Sequence, residues 1–210
     1  MIAGCMIVKK GASVTKAIGS LYPCCDDVIV IEDASPGEWS LQEWELRQQY
    51  VDRLEAIKAD WAVSIDADEY LVGGEWLRKF MEIQGETVRG IDFDRINLWG
   101  NGVYALDSMT RAWRPRPGHR ISQKWIATAS CPNSVVHEGE TIHVTPDRAC
   151  IVHTGYMTEA ARAEKARRYR EIDPHNHVMP GFCYEEYFLH NQDLRPIPDS
   201  YWKFMDGNCR

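Results

Sequence analysis

Asp60-Trp61-Ala62-Val63-Ser64-Ile65-Asp66-Ala67-Asp68-Glu69-Tyr70 is the stretch that decides how the chain folds. Trp61 to Ile65 is a short apolar run of the kind a buried strand needs. It runs directly into Asp66, Asp68 and Glu69, so the strand delivers carboxylates at its carboxyl end. Unpaired buried carboxylates are costly, which puts these acids at the edge of a buried sheet rather than on a solvated coil. In open α/β sheets, ligands bind outside such strand ends.

Working outward, Ile2 to Val8 is a first strand, and Ser13 caps a helix with Val14, Ala17, Ile18 and Leu21 at i, i+3, i+4, i+7 spacing, stopped by Pro23. Asp27 to Glu32 (DVIVIE) is a second buried strand. Ser40-Leu41-Gln42-Glu43 has the pattern of a capping box for a helix whose apolar face, Leu41, Trp44, Val51 and Leu54, runs to about Ala59. This alternation predicts an α/β fold, Rossmann-like, with a mostly parallel central sheet flanked by helices.

Beyond the motif, a short helix carries Trp76, Leu77 and Phe80, and Ile91 to Leu98 alternates like a strand whose phase slips at Arg95. The segment from Gly100 to Pro146, rich in Gly, Pro and Arg, reads as loops and short strands. Ala149 to His153 is a strand, Thr158 to Ile172 a helix, and Glu185 to His190 a last helix. Trp44, Trp61, Trp76 and Phe80 occupy periodic apolar positions and belong to the core.

A chain of 210 residues fits one domain and buries a sizeable core. No apolar run approaches the roughly 18 to 20 residues needed to cross a bilayer. Met1 to Val8 is followed by Lys9 and Lys10, which is not signal-peptide order. The expectation is a soluble, cytoplasmic protein with no membrane association. Seven cysteines, an odd number without C-x-x-C spacing, point to free thiols. The net charge of -7 argues against a dedicated nucleic-acid binder, yet residues 111 to 170 alone carry +6.

Two carboxylates one residue apart at a strand end suit a hard divalent cation, Mg2+ or Mn2+, which keeps open positions for phosphate oxygens. Such an ion stabilises the charge that builds on a departing diphosphate. An acidic turn after a strand is the plainer explanation of a D-x-D tripeptide. The apolar run into the acids favours the site.

The Asp60 to Tyr70 stretch resembles the DW-apolar-DADE-aromatic signature of family 2-like glycosyltransferases with the GT-A fold. The strand Cys5 to Val8 resembles their opening strand, and Val28 to Ser35 (VIVIEDAS) their VVVDDGS segment. Arg47 sits where an Arg often precedes the acidic motif. The likeness covers roughly residues 2 to 75, with a second segment at Ile151-Val152-His153 followed by Lys165 and Tyr169.

The resemblance implies a single GT-A-like domain over residues 1–210, with a nucleotide-sugar-binding half (1–99) and an acceptor-side half (100–210). It implies Asp66, Asp68 and His153 as metal ligands. Donor contacts would come from Val8, Lys9, Glu32, Arg47, Asp66, Ala67 and Lys165. The departures are Lys9-Lys10 where the family has Asn-Glu, and Glu at position 32 where it has Asp. The implied activity is metal-dependent transfer of a hexose or pentose from a UDP- or GDP-type sugar to an acceptor: a soluble glycan, a protein or a modified base in DNA.

Inverting transfer needs a general base to take the acceptor proton. Glu138, in His137-Glu138-Gly139, is the first candidate, with Asp107 and Asp94 as rivals; a structural acid is the alternative for each. Arg111 to Arg120, continuing to Lys124 and Trp125, mixes cations with indoles and suits either an anionic acceptor, such as DNA, or a solvated loop. Arg162, Arg167, Arg168 and Arg170 read as a solvated helix face. Two other functions compete: a non-catalytic nucleotide or sugar binder, and a HAD-like phosphohydrolase. The second is disfavoured because Tyr70 stands where that chemistry usually has Thr or Val.

Overall fold

The computed structural model describes residues 1–35, 43–100, 102–122, 130–173, 183–190, 193–199 and 201. Ser40, Leu41 and Gln42 of the expected capping box, with Lys124 and Trp125, lie outside these residues.

The N-terminal part follows the βα alternation: β1 (Ile2–Lys9), α1 (Thr15–Leu21), β2 (Asp27–Asp33), α2 (Glu43–Ala56) and β3 (Trp61–Ser64). β1 pairs in parallel with β2 on one side and β3 on the other. Strand alternation sorts the side chains. Ile2, Met6 and Val8 of β1 join Trp61 and Val63 of β3 in a core under α1, while Ala3, Cys5 and Ala62 pack beneath α2 through Tyr50, Val51 and Leu54. Helices therefore cover both faces, as expected of an α/β fold.

After the acidic motif come β4 (Glu69–Val72), α3 (Gly74–Glu82), the long hairpin β5 (Val88–Leu98) and β6 (Val103–Trp113), then β7 (Glu140–Val144), β8 (Cys150–His153), α4 (Glu159–Ile172), α5 (Tyr184–His190) and the two-residue β9 (Arg195–Pro196). The sheet order is β2-β1-β3-β6-β5-β8-β4, with β7 on β5 and β9 on β6. The sheet is mixed, because β6 runs antiparallel to both β3 and β5, and β4 runs antiparallel to β8.

Where loops and short strands were expected between Gly100 and Pro146, β6 is a long strand of 11 residues. Its sequence, VYALDSMTRAW, hides a strand because its polar side chains have polar partners across the ladder: Asp107 with Arg95, and Thr110 with Asp92. β5 explains the slipped phase. Ile91 and Phe93 face the α1 side, Ile96 and Leu98 face the other, and Arg95 and Asn97 take the places that apolar residues would have filled.

One feature of the topology positions everything else. β3 and β4 are joined through Ile65 to Asp68, yet β6, β5 and β8 lie between them in the sheet. Four strand spacings in a flat sheet come to about 19 Å, while the five Cα steps from Ser64 to Glu69 reach at most about 17 Å fully extended. Two of the linking residues, Ala67 and Asp68, are spent in a turn. The sheet must curl around this connection, which brings β5, β6 and β8 against it.

Candidate active site

The connection is a tight turn. The Glu69 N–H donates to the Asp66 carbonyl at 3.0 Å, and the Glu69 carboxylate accepts the Asp66 N–H at 2.8 Å. The Asp68 carbonyl is held from the other side by the N–H and hydroxyl of Thr154, at 2.9 and 2.8 Å. The backbone of Asp66, Asp68 and Glu69 is thus fixed by hydrogen bonds.

Two of its acids are enclosed by arginines. Asp66 receives Arg47 Nη2 from α2 at 3.0 Å and Arg111 Nη2 from β6 at 3.1 Å, one on each carboxylate oxygen. Glu69, whose side chain has no exposure, receives the same Arg111 nitrogen at 2.7 Å and Arg95 at 3.2 Å. Arg111 is itself buried and completes its donors on Ser130 Oγ and Met109 Sδ. Burial works to raise the Asp66 carboxyl, but Arg111 and Arg47 outweigh it and hold it well below the usual carboxylate range.

Asp68 is different. Its side chain is 42% exposed, and Oδ2 lies 3.1 Å from His153 Nε2 and 3.4 Å from Lys165 Nζ, while those two nitrogens are 3.2 Å apart. Burial again pushes up the carboxyl, and the neighbouring His153 and Lys165 prevail and keep it well below its ordinary value. His153 reaches this place because β8 pairs His153 with Glu69 of β4 and with Asn97 of β5. Lys165, on α4, is steadied by the Tyr156 ring, whose centroid is 4.5 Å from Nζ; the same ring stands edge-on to His153 at 4.4 Å.

Gly155 makes this convergence possible. A Cβ there would sit 2.2 Å from Asp68 Oδ2, 2.6 Å from His153 Nε2 and 2.7 Å from Lys165 Nζ.

Of the metal trio expected from sequence, Asp68 and His153 are in contact, and Asp66 accepts hydrogen bonds from two guanidinium groups. Among the described residues, no three His, Cys, Asp or Glu side chains form a ready-made metal cage. Of the expected donor contacts, Arg47 and Lys165 reach the motif, and Ala67 lies within it. Val8 is buried in β1 beside Glu32, which is exposed. Lys9 is engaged by Asp33 and Ser35 at 2.7 to 3.1 Å.

The two leading candidates for the base both have cationic or imidazole partners. Asp107 takes a bidentate contact from Arg95 at 2.9 and 2.6 Å. Glu138 contacts His119 Nε2 at 3.0 Å, with Arg116 at 3.8 Å. Its carboxyl lies below the usual range because hydrogen bonds from His119 and Ser134 overcome the effect of burial. Asp94 lies 3.4 Å from His143.

The basic loop also divides. Arg111 is buried, and Arg114 spends its donors on the carbonyls of Val88 and Gln84 above Trp61. Arg116 remains half-exposed and Arg120 exposed.

Sequence reading missed Arg95, Asn97, Gly155 and the inward role of Arg111. Only the phase slip at Arg95 signalled any of them.

No family model matches the chain, and no curated protein matches it. Among solved structures, a glycosyltransferase involved in the glycosylation of the major capsid of PBCV-1 overlaps 72% of this chain and 92% of its own, at 13% identity and a TM-score of 0.37. Among the described residues, no helix is long and apolar enough to cross a membrane.

Proposed function

We propose that this chain is a glycosyltransferase that takes its sugar from a nucleoside diphosphate of the UDP or GDP type, with Mn2+ or Mg2+ at Asp68 and His153. The observation that carries this reading is the contact of half-exposed Asp68 with buried His153 and largely buried Lys165, at an otherwise locked turn at a strand end. Its donor atoms fit such an ion. Asp68 Oδ2 and His153 Nε2 are 3.1 Å apart, the spacing of neighbouring ligands on a six-coordinate ion with bonds of about 2.1 Å. Asp66, with each oxygen already accepting one hydrogen bond, keeps further lone pairs for a third contact.

The ion would offset charge on the departing diphosphate. The chain's own residues add to this: Lys165 supplies a cation beside Asp68, while Arg47 and Arg111 hold the acidic turn and contribute positive potential. The HAD-like reading needs a free carboxylate nucleophile as the first Asp, and Asp66 is held by two guanidinium groups.

Thermal unfolding with UDP or GDP, with and without Mn2+, tests the proposal, since a ligand of the folded state raises its stability. Nucleotide should stabilise the protein only when Mn2+ is present, and Asp68→Asn should remove the effect. Undiminished binding in that variant sinks the metal assignment.

A second reading, a non-catalytic nucleotide binder, draws support from the ion-paired state of Asp107 and the His119 contact of Glu138. Tight Mn2+-dependent binding with no donor hydrolysis and no transfer favours it. For an anionic acceptor such as DNA, half-exposed Arg116 and exposed Arg120 are the accessible cations among the described residues of the loop. Acceptor affinity that ignores added salt argues against one.

A further inference from the structure

His153 touches Asp68 and Lys165 through Nε2 and leaves Nδ1 facing into the protein, where it meets Asn97 Oδ1 at 2.8 Å. Asn97 is fully buried, and its Nδ2 has no hydrogen-bond partner. An orphaned buried amide in a well-packed sheet calls for a reason, and its place in the register supplies one: the β5–β8 ladder puts Asn97 directly beside His153.

We propose that Asn97 is a positioning residue that sets the tautomer of His153. Its amide oxygen accepts the Nδ1–H, so the Nε2 lone pair is committed to the cleft. This inference rests on the reading of Asp68 and His153 as ligands, and it deepens that reading by saying how the imidazole is made ready.

Three contacts support it. Lys165 Nζ, which has only hydrogens to offer, lies 3.2 Å from Nε2 and so wants a lone pair there. The same ammonium is 3.4 Å from Asp68 Oδ2, so it lies between two acceptors and relieves their 3.1 Å approach. The acceptor at Nδ1 is neutral, which avoids a further buried negative charge beside Glu69 and draws no second proton onto the ring. An imidazole that donates through one nitrogen to a fixed acceptor is oriented and keeps the other nitrogen as a ligand.

The test reads the tautomer without metal or nucleotide. Two-bond proton–nitrogen correlation on the full chain with 15N-labelled histidine, in alkaline buffer where imidazoles are neutral, identifies which nitrogen carries the hydrogen. The His153 signals are assigned by their loss in His153→Gln. The Nδ1–H form is expected in the wild type and in Asn97→Asp, which keeps an acceptor, and it should be lost in Asn97→Leu.

An Nε2–H wild type overturns the inference, and so does an Nδ1–H form that survives in Asn97→Leu. If Asn97→Leu does not fold, the wild type and Asn97→Asp still decide. In a parallel titration, Mn2+ affinity of Asn97→Leu should fall about 10- to 100-fold below the wild type. If the tautomers behave as expected while Mn2+ binds neither protein, the positioning role stands and the metal reading fails.

Discussion

The ends of one four-residue motif and its third residue have different surroundings. Asp66 and Glu69 sit against Arg47, Arg95 and Arg111, with Glu69 and Arg111 essentially without solvent. Asp68, between them, is 42% exposed against 33% for Asp66, and meets a histidine and a lysine instead of guanidinium groups. The contrast separates two uses of a carboxylate. A buried ion pair is a weak source of net stability, but breaking it is severe because the remaining charge is stranded. The outer acids therefore act as a frame, and Asp68 is the member free to bind.

The largest expected effect comes from the frame. Arg111→Met takes from the buried Glu69 the nearer of its two guanidinium partners and removes one of the two on Asp66, and it should cost about 3–5 kcal/mol in urea unfolding. A loss under 1 kcal/mol would show that the frame is not structural. Gly155→Ala should come next, because its methyl group must push apart Asp68, His153 and Lys165. A loss of about 1–3 kcal/mol is expected, with Mn2+-dependent nucleotide binding weakened, since the crowding falls on the binding atoms themselves. Unchanged binding would mean the three groups do not act together.

Much of the frame was invisible in the sequence for a physical reason. The N-terminal βαβ units were legible because β1, β2 and β3 are apolar runs separated by turn and helix signals, and the acidic-motif residues announced themselves at the end of β3. β6 was not, because Asp107, Thr110 and Arg111 bury their polarity against β5 and the turn rather than against solvent, which erases the alternation. Arg111 read as a loop cation for the same reason. The slip at Arg95 was the one trace of a site on β5, since Arg95 and Asn97 occupy inward positions that a purely structural strand would fill with apolar side chains.

The acid limb of stability should sharpen the comparison further. The Asp66 carboxyl is held below its ordinary value in the fold, so its contribution is complete above the unfolded value of about 3.9 and is lost as pH falls through that region toward the folded value. Wild-type stability should be level from neutral pH to about 5 and then decline. Asp66→Asn should start lower at neutral pH and decline less steeply, so that the two curves converge in acid. Parallel curves would show that Asp66 is not held by its arginines.

The smallest effect on stability belongs to Asp68. Its partners are reached through a half-exposed carboxylate, and such pairs contribute at most about 1 kcal/mol. Asp68→Asn should therefore move the melting temperature by no more than about 2–4 °C, even as nucleotide binding in Mn2+ disappears. That dissociation of stability from binding is what a framed but open carboxylate requires. A melting temperature that falls as far as in Arg111→Met would instead make Asp68 a third member of the frame and leave the motif without a free ligand.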